Sequence, residues 1–248
     1  MRDFNGQTYW LVGASEGLGR AVAFELSKLG AHLIISARNA ERLDALAAEL
    51  PGPVKAVACD IADSDSVAAA AAEVGDVDGM VFLAGVYWPM KAGEWDTDKA
   101  LSMAEVNFNG AIRVLGAVVP AMVARKSGHI VITGSLSGFR GLPGSIGYSA
   151  SKAGVMSLAE CLQADLRGTG VDVQLINPGF IRTRLTDKND FTMPFIIDPE
   201  PAAKIFVNFM GGSRFQRNFP TVFSWVFRLG RLLPDAIYYP VFAPQPKG

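Results

Sequence analysis

Short apolar runs without polar alternation recur along the chain, separated by alanine-rich stretches with helical periodicity. The runs predict strands at residues 8–12, 32–36, 54–58, 78–84, 129–133 and 171–176. A strand without polar alternation is buried on both of its faces, which is typical of a parallel sheet. Parallel strands that alternate with helices need right-handed crossovers, and these place helices on both faces of the sheet. The sequence therefore predicts a single-domain α/β fold with a doubly wound parallel sheet.

Composition excludes several classes of protein. Half of the 248 residues are apolar (50%) and 19% are charged, so the chain can bury a large core and is not disordered. The net charge of −1 gives no basic field for nucleic acid. His32 and His129 lie far apart and match no metal-ligand spacing, so we expect no metal site. The first residues lack the basic and apolar segments of a signal peptide, so we expect a cytoplasmic protein.

The end of the chain differs in composition from the rest. Residues 214–248 contain five basic side chains against Asp235 alone, and eight of the 24 aromatic residues. We therefore separate a main domain, residues 1–213, from a C-terminal extension, residues 214–248. Within the extension, Arg214 to Phe219 predicts an edge strand and Val222 to Leu233 an amphipathic helix. We expect the extension to pack on the same domain or on a partner subunit, with an anionic membrane surface as the alternative.

A glycine-rich turn follows the first predicted strand and precedes a helix. Its glycines are Gly13, Gly17 and Gly19. This spacing permits a tight turn, close approach of a pyrophosphate to the backbone, and packing of the helix on the sheet. The helix N-terminus then offers free N–H groups and the positive end of its dipole to the phosphates. The turn predicts a nucleotide site of the Rossmann type.

The end of the second predicted strand indicates which nucleotide binds. An acidic residue there would bind the ribose hydroxyls and select NAD. This chain instead has Ala37 and Arg38. A guanidinium pairs with a 2′-phosphate and stacks on adenine, so the sequence predicts NADP(H) as the cofactor. Ser15 in the glycine-rich turn adds a hydroxyl contact. A solvated surface arginine is the alternative interpretation of Arg38.

A phenol and an ammonium group lie four residues apart at Tyr148 and Lys152, on one face of a predicted helix. Ser135 lies thirteen residues upstream of Tyr148, at the end of the fifth predicted strand. An open α/β sheet places its ligands at the carboxyl ends of its strands. Together with the glycine-rich turn, these motifs and their order resemble the classical short-chain dehydrogenase/reductase family, over about residues 6–210.

The resemblance implies a catalytic role for four residues. Ser135, Tyr148 and Lys152 match the family's catalytic Ser, Tyr and Lys, and Asn107 matches its active-site Asn. Tyr148 is then the general acid and base, and Ser135 holds the substrate oxygen. Lys152 is expected to hold the nicotinamide ribose and, together with an oxidised nicotinamide, to lower the pKa of the phenol. Asn107 is expected to position a water that links Lys152 to solvent.

Further positions are predicted to contact the coenzyme. The full set is Gly13, Ser15, Gly17, Leu18, Gly19, Arg38, Asp60, Ile61, Ala84, Gly85, Tyr148, Lys152, Pro178, Gly179 and Thr183. Asp60 matches the family's adenine-contacting Asp, and a helix cap is the alternative. The family's Asn-Asn-Ala-Gly on the fourth strand is here Phe82-Leu83-Ala84-Gly85.

The predicted function is hydride transfer between NADP(H) and an apolar carbonyl or alcohol, in a homodimer or homotetramer. Arg184 to Glu200 is expected to cover the substrate with its apolar residues, namely Leu185, Phe191, Met193, Phe195, Ile196 and Ile197. Tyr87, Trp88 and Trp95 are expected to line the opposite wall. Two alternatives remain: a nucleotide-binding or regulatory protein without turnover, which the changed Phe82-Leu83 segment favours, and a reductase anchored to a membrane surface by the C-terminal extension.

Overall fold

The chain forms one seven-stranded parallel sheet with helices on both faces, in a computed structural model that describes residues 2–243. The strands are Thr8–Val12 (β1), His32–Ala37 (β2), Val54–Ala58 (β3), Gly79–Phe82 (β4), Gly128–Thr133 (β5), Val171–Pro178 (β6) and Gln216–Phe219 (β7). The helices are Gly17–Lys28 (α1), Ala40–Glu49 (α2), Ser64–Val74 (α3), Thr97–Ala104 (α4), Gly110–Ala124 (α5), Ile146–Asp165 (α6), Pro199–Met210 (α7), Thr221–Gly230 (α8) and Asp235–Phe242 (α9). The predicted doubly wound α/β fold is confirmed. Lys247, counted above in the basic extension, lies outside the described residues.

The strand order explains where a ligand can bind. The strands lie in the order β3-β2-β1-β4-β5-β6-β7, and every neighbouring pair is parallel. The chain therefore winds outward from β1 in one direction and from β4 in the other. The crossovers on either side of this boundary diverge and leave a crevice at the carboxyl ends of the strands, where open α/β sheets bind their ligands.

Each face of the sheet is covered by a separate apolar core. Successive side chains of a strand point to opposite faces, so neighbours on β1 belong to different cores. Trp10 packs with Val114 of α5 and Val155 of α6, whereas Leu11 packs on the other face with Leu26 of α1. All of these side chains are fully buried. Burial on both faces is the physical reason that the strand sequences lack polar alternation.

The helices differ from the predictions in three places. The sequence between β4 and β5 predicts two helices, at about 96–106 and 109–126. The structure has one helical run there, because a π-turn at Glu105–Asn109 joins α4 to α5 without a break. By length and composition this run, Thr97–Ala124, is apolar enough to cross a membrane. However, α5 packs on the sheet, α4 packs on α6, and 44% of the run's most apolar 18-residue stretch is buried. Helices α7 and α9 were not predicted. Only Pro199 and Glu200 of α7 belong to the segment assigned to the substrate cover, and the predicted C-terminal helix ends at Leu233, before α9 begins.

The C-terminal extension lies against the main domain. The predicted edge strand forms as β7, which pairs with β6. The Arg140 guanidinium donates hydrogen bonds to the carbonyl oxygens of Gly230 (3.0 Å) and Leu233 (2.6 Å) and forms an ion pair with Asp235. The Tyr238 hydroxyl donates to the Gly141 carbonyl at 2.8 Å. These contacts fix α8 and α9 relative to the sheet.

A buried histidine connects the sheet to α7 and the segment that follows it. The Gln174 amide nitrogen donates to three backbone carbonyls in the segment 209–214, which leaves its oxygen to accept from His129 Nε2 at 2.9 Å. The other ring nitrogen of His129, Nδ1, then accepts from the Tyr9 hydroxyl at 2.8 Å. The neutral imidazole is fully hydrogen-bonded, and burial lowers its pKa from 6.5 to about 4.

Protonation of His129 is expected to destabilise the fold in mild acid. The unfolded chain binds this proton near pH 6.5 and the native protein only near pH 4, so the free energy of unfolding falls as the pH falls through that window. The loss is about 3 kcal/mol, to order of magnitude. Urea unfolding at a series of pH values measures it. A His129→Gln variant should lose this part of the pH dependence, and a variant of the exposed His32, His32→Gln, should keep it. Equal slopes in the two variants would contradict the assignment.

Candidate active site

A cleft of about 610 Å³ opens at the carboxyl ends of the central strands, where the strand order reverses. It brings together most residues that the sequence analysis selected, namely Gly13, Ser15, Gly17, Leu18, Gly19, Arg38, Asp60, Ile61, Ala84, Gly85, Ser135, Tyr148, Lys152, Pro178, Gly179 and Thr183. Asn107 is the exception. Within residues 2–243, no group of three or more His, Cys, Asp or Glu side chains is placed to hold a metal ion.

The glycine-rich turn needs its glycines for close backbone approach. Gly13 has φ +91°, and a Cβ built on it would lie 2.4 Å from the backbone nitrogen of Ala84 at the end of β4. A Cβ on Gly19 would lie 2.0 Å from the Gly13 carbonyl oxygen. The turn therefore folds tightly over the ends of two strands, and α1 begins at the cleft. Within residues 2–243, no side chain caps this helix N-terminus, so its first N–H groups can bind an anion.

The far end of the cleft, beyond β2, carries more positive charge than predicted. Arg38 lies there as expected, and Arg42 lines the same wall. Asn39 caps α2, with its side-chain oxygen accepting from the Arg42 backbone nitrogen at 2.7 Å. Arg42 also pairs with Glu16 at 3.1 Å, and Glu16 forms a second ion pair with Arg184. Arg42 could have been selected from the sequence. A cation in the first turn of a helix lies near the positive end of the helix dipole, which is unfavourable, so its presence there indicates another role such as binding an anion.

Asp60 lines the cleft and does not cap α3. Its carboxylate accepts a hydrogen bond from the Ala62 backbone nitrogen at 3.0 Å. The helix is capped by Asp63, whose side chain accepts from the Asp65 backbone nitrogen at 2.9 Å. The alternative interpretation of Asp60 as a helix cap is therefore wrong.

Three polar side chains converge on the cleft floor between β5 and α6. Lys152 is buried, its ammonium donates to the Thr133 carbonyl at 2.9 Å, and it lies 5.9 Å from the centre of the Tyr148 ring. Ser135 and Tyr148 line the same part of the cleft, and the Ser135 hydroxyl lies 2.9 Å from the Ser137 hydroxyl. The Thr133 hydroxyl is buried and has no partner among the described residues, so the site holds one polar group that a ligand can satisfy.

Burial controls the protonation of this cluster. It raises the pKa of the Tyr148 phenol to about 12, although the nearby Ser135 hydroxyl acts in the opposite direction. Burial also lowers the pKa of the Lys152 ammonium to about 8. The Lys152 ammonium does not offset the desolvation of the phenol, because it is directed at the Thr133 carbonyl. The lowering of the phenol pKa expected from Lys152 and an oxidised nicotinamide together concerns the coenzyme complex and stays a prediction. At neutral pH the cluster therefore holds a neutral phenol beside a cation.

Comparison with known proteins identifies the family. The sequence pattern of short chain dehydrogenases matches residues 7–193. An uncharacterized oxidoreductase from Myxococcus xanthus is 35% identical over 245 residues, which cover 96% of this chain and 97% of that protein. This chain belongs to the short chain dehydrogenase family.

Two further members are similar to this chain. A 3-oxoacyl-acyl-carrier-protein reductase from Rickettsia bellii is 31% identical over 188 residues, covering 76% of this chain and 78% of that protein. The crystal structure of a short-chain dehydrogenase from Streptomyces avermitilis superposes with a TM-score of 0.82 at 26% identity, covering 92% of this chain and 93% of that one. Members of this family are oxidoreductases that bind a nicotinamide cofactor and act on small molecules.

Asn107 does not line the cleft of this short chain dehydrogenase. Its side chain is fully buried, accepts from the Val86 backbone nitrogen (2.7 Å), and donates to the Val86 carbonyl and the Ser151 hydroxyl (3.0 Å each). A Cβ on Gly85 would lie 3.5 Å from Asn107 Oδ1 and 3.7 Å from Lys152 Nζ. Asn107 therefore positions the loop after β4 beside Lys152, and both amide protons are already used.

The apolar walls of the cleft differ from the prediction. Tyr87 lines it, with its ring 5.0 Å from that of Tyr148, but Trp88 and Trp95 do not. Of the predicted cover, Leu185 and Phe191 line the cleft, and the others (Met193, Phe195, Ile196 and Ile197) do not. Three phenylalanines complete the wall, namely Phe180, Phe223 and Phe227. Phe223 and Phe227 come from α8. They are four residues apart on a predicted amphipathic helix and so lie on one face of it, and this spacing could have identified them as a pair of wall residues.

Proposed function

We propose that this chain is an NADP(H)-dependent oxidoreductase that reduces an apolar carbonyl group to an alcohol. The observation that carries the proposal is the convergence of Ser135, Tyr148 and Lys152 at one end of a cleft whose walls there are aromatic and aliphatic. A hydroxyl, a neutral phenol and a buried cation around one point are suited to bind a carbonyl oxygen and stabilise the negative charge that develops on it.

Tyr148 supplies the proton in this proposal. A phenol with a pKa of about 12 is protonated at neutral pH, so it is ready to donate to the substrate oxygen. Lys152 compensates the negative charge that remains on the phenolate, because with a pKa of about 8 it is mostly a cation at pH 7. Ser135 donates a second hydrogen bond to the same oxygen and fixes its position.

The residues along the cleft fit a nicotinamide dinucleotide. When bound, this coenzyme supplies or accepts the hydride of the reaction. The first turn of α1, beyond Gly17, offers backbone N–H groups to the pyrophosphate. Lys152 and the Thr133 hydroxyl, which has no hydrogen-bond partner within residues 2–243, lie where the nicotinamide half would reach. Arg38 and Arg42 at the opposite end suit the 2′-phosphate that distinguishes NADP(H).

The substrate end of the cleft supports an apolar substrate. Phe223 lies with its ring centre 6.0 Å from Phe180 and 5.0 Å from Phe227, so three aromatic rings cover one wall. Such a wall binds a hydrocarbon body while the polar cluster binds one oxygen.

We also propose a homodimer or homotetramer, as is typical of the family. Leu101 and Ile112 on the α4–α5 run are exposed and available for subunit contact.

Incubation with NADPH and a panel of aldehydes and ketones tests this proposal. We expect loss of NADPH absorbance with long-chain or aromatic carbonyls and little with small polar ones, because only the former fill the aromatic wall. Glyceraldehyde is the polar control. Tight NADPH binding without turnover of any panel member would instead favour a nucleotide-binding protein without catalytic activity. A preference for glyceraldehyde would contradict the apolar substrate class.

A further inference from the structure

The outer face of the two C-terminal helices is apolar and exposed. Eight of the fifteen exposed large hydrophobic side chains in residues 2–243 fall within residues 222–241. They are Val222, Trp225, Val226, Leu229, Leu232, Ile237, Tyr239 and Val241, each 47–77% exposed. We call this set the outer face. A concentration of apolar surface on so short a segment is typical of a contact site.

The outer face is held in a fixed orientation. The opposite side of α8 is inserted into the fold, with Phe223 and Phe227 in the cleft wall and Ser224 buried. The guanidinium of Arg140 lies 3.8 Å above the Tyr238 ring, in addition to its hydrogen bonds to the turn between the helices. The helices therefore cannot rotate to bury the outer face without breaking these contacts, and the exposed surface belongs to the folded state.

The charges around the outer face are positive. Arg228 and Arg231 are exposed beside it, and in the described part of the chain neither has an ion-pair partner. The Arg228 guanidinium lies 4.3 Å from the centre of the Trp225 ring, so the cation is held at the border of the apolar surface. Asp235 is the only acidic residue after position 213, and Arg140 neutralises it. The surface combines exposed aliphatic side chains, a border tryptophan and uncompensated arginines.

We propose that the outer face docks on a membrane surface that contains anionic lipids. Aliphatic side chains such as Val222 and Leu229 enter the acyl boundary, the ring of Trp225 lies at headgroup depth, and Arg228 and Arg231 bind lipid phosphates. A second copy of the chain fits this surface less well. A two-fold contact between two outer faces would bring the arginines of both copies together, and like charges oppose such pairing.

Docking would also orient the cleft. The ring centre of Phe195, which is exposed, lies 5.4 Å from that of Phe223 in the cleft wall, so the apolar surface continues from α8 to the rim of the cleft. An apolar substrate dissolved in the bilayer then reaches the cleft along this surface without crossing water. This step rests on the proposed function, whereas the docking itself does not.

Flotation with lipid vesicles, without coenzyme or substrate, tests the docking separately from catalysis. The full chain is mixed with vesicles of phosphatidylcholine and phosphatidylserine, or of phosphatidylcholine alone. We expect binding to the mixed vesicles, weakened about thirtyfold in Arg228→Glu/Arg231→Glu. A Val222→Ser/Val226→Ser/Leu229→Ser variant should bind on the order of a hundredfold more weakly. The control Arg167→Glu/Lys204→Glu changes charge equally at exposed sites elsewhere and should bind within about threefold of the wild type.

Four results would overturn the proposal. The first is no binding of the wild type to mixed vesicles. The second is equal binding to both vesicle types, which removes the role of anionic lipid. The third is an equal loss of vesicle binding in the control variant, which would show that binding depends on the net charge of the protein and not on the arginines beside the outer face. The fourth is a dimer in sedimentation that the triple serine variant converts to a monomer, with no vesicle binding, which assigns the outer face to a second copy. NADPH titration and circular dichroism verify that each variant is folded.

Discussion

Replacing Tyr148 with phenylalanine is expected to lower turnover by about 10²–10⁴-fold while the fold and coenzyme affinity stay nearly unchanged. Only the hydroxyl is removed, and the ring keeps its edge-to-face contact with Tyr87 at 5.0 Å. With the phenol gone, the substrate oxygen retains Ser135 as a hydrogen-bond donor but has no proton to accept. The measurement is kcat with the best carbonyl of the panel, together with NADPH titration and thermal unfolding.

Tyr87→Phe is the matched control. This tyrosine lines the same cleft and also loses one hydroxyl, which in the wild type donates to Asn189 at 3.0 Å. We expect its kcat to fall by no more than about threefold, because its hydroxyl contributes no proton to the reaction. Equal losses in the two variants, or a Tyr148→Phe enzyme that retains most of the wild-type rate, would show that Tyr148 is not the proton donor.

Most of the fold could be predicted from local sequence. An apolar run such as Thr8–Val12 indicates a doubly buried strand because each of its residues must avoid water. The glycines of the turn could also be assigned from local sequence, because the backbone around Gly13 and Gly19 leaves no space for a side chain. The π-turn at Glu105–Asn109 could not be predicted, because it changes only the hydrogen-bond register within a continuous helix.

The parts of the site that could not be predicted depend on distant contacts. The pKa of the Tyr148 phenol is raised by burial, which no spacing of residues reveals. Asn107 was placed at the reaction centre by its motif, but its side chain is already bonded to Val86 and Ser151. The pair between Glu16 and Arg42 joins two elements that are 26 residues apart in the chain. Sequence patterns identify which residues gather at a site more readily than what each one contacts there.

NADPH is expected to bind about 10–150-fold more tightly than NADH, which corresponds to ~1.5–3 kcal/mol for a charge-assisted contact to phosphate. Arg38 predicts this preference, whereas Glu16 in the glycine-rich turn is a carboxylate near the phosphates and opposes it. The ion pairs of Glu16 with Arg42 and Arg184 change that balance, because they neutralise the carboxylate and add cations at the same end of the cleft. Titration with both coenzymes, followed by nicotinamide fluorescence, measures the ratio.

Substitution at this end of the cleft should reverse the preference. The Ala37→Asp/Arg38→Ala variant has a carboxylate at this position and no guanidinium. The carboxylate repels the 2′-phosphate of NADPH and accepts hydrogen bonds from the ribose hydroxyls of NADH, so NADH should bind more tightly than NADPH. Arg42→Ala should lower the wild-type ratio by about tenfold, and Arg167→Ala, which changes an exposed arginine outside the cleft, should leave it unchanged. NADH lacks the 2′-phosphate, so a change in NADH affinity measures the effects of a substitution on the rest of the coenzyme site. The ratio of NADPH affinity to NADH affinity therefore measures the contact with the 2′-phosphate alone. A wild-type ratio near one would show that neither Arg38 nor Arg42 contacts that phosphate.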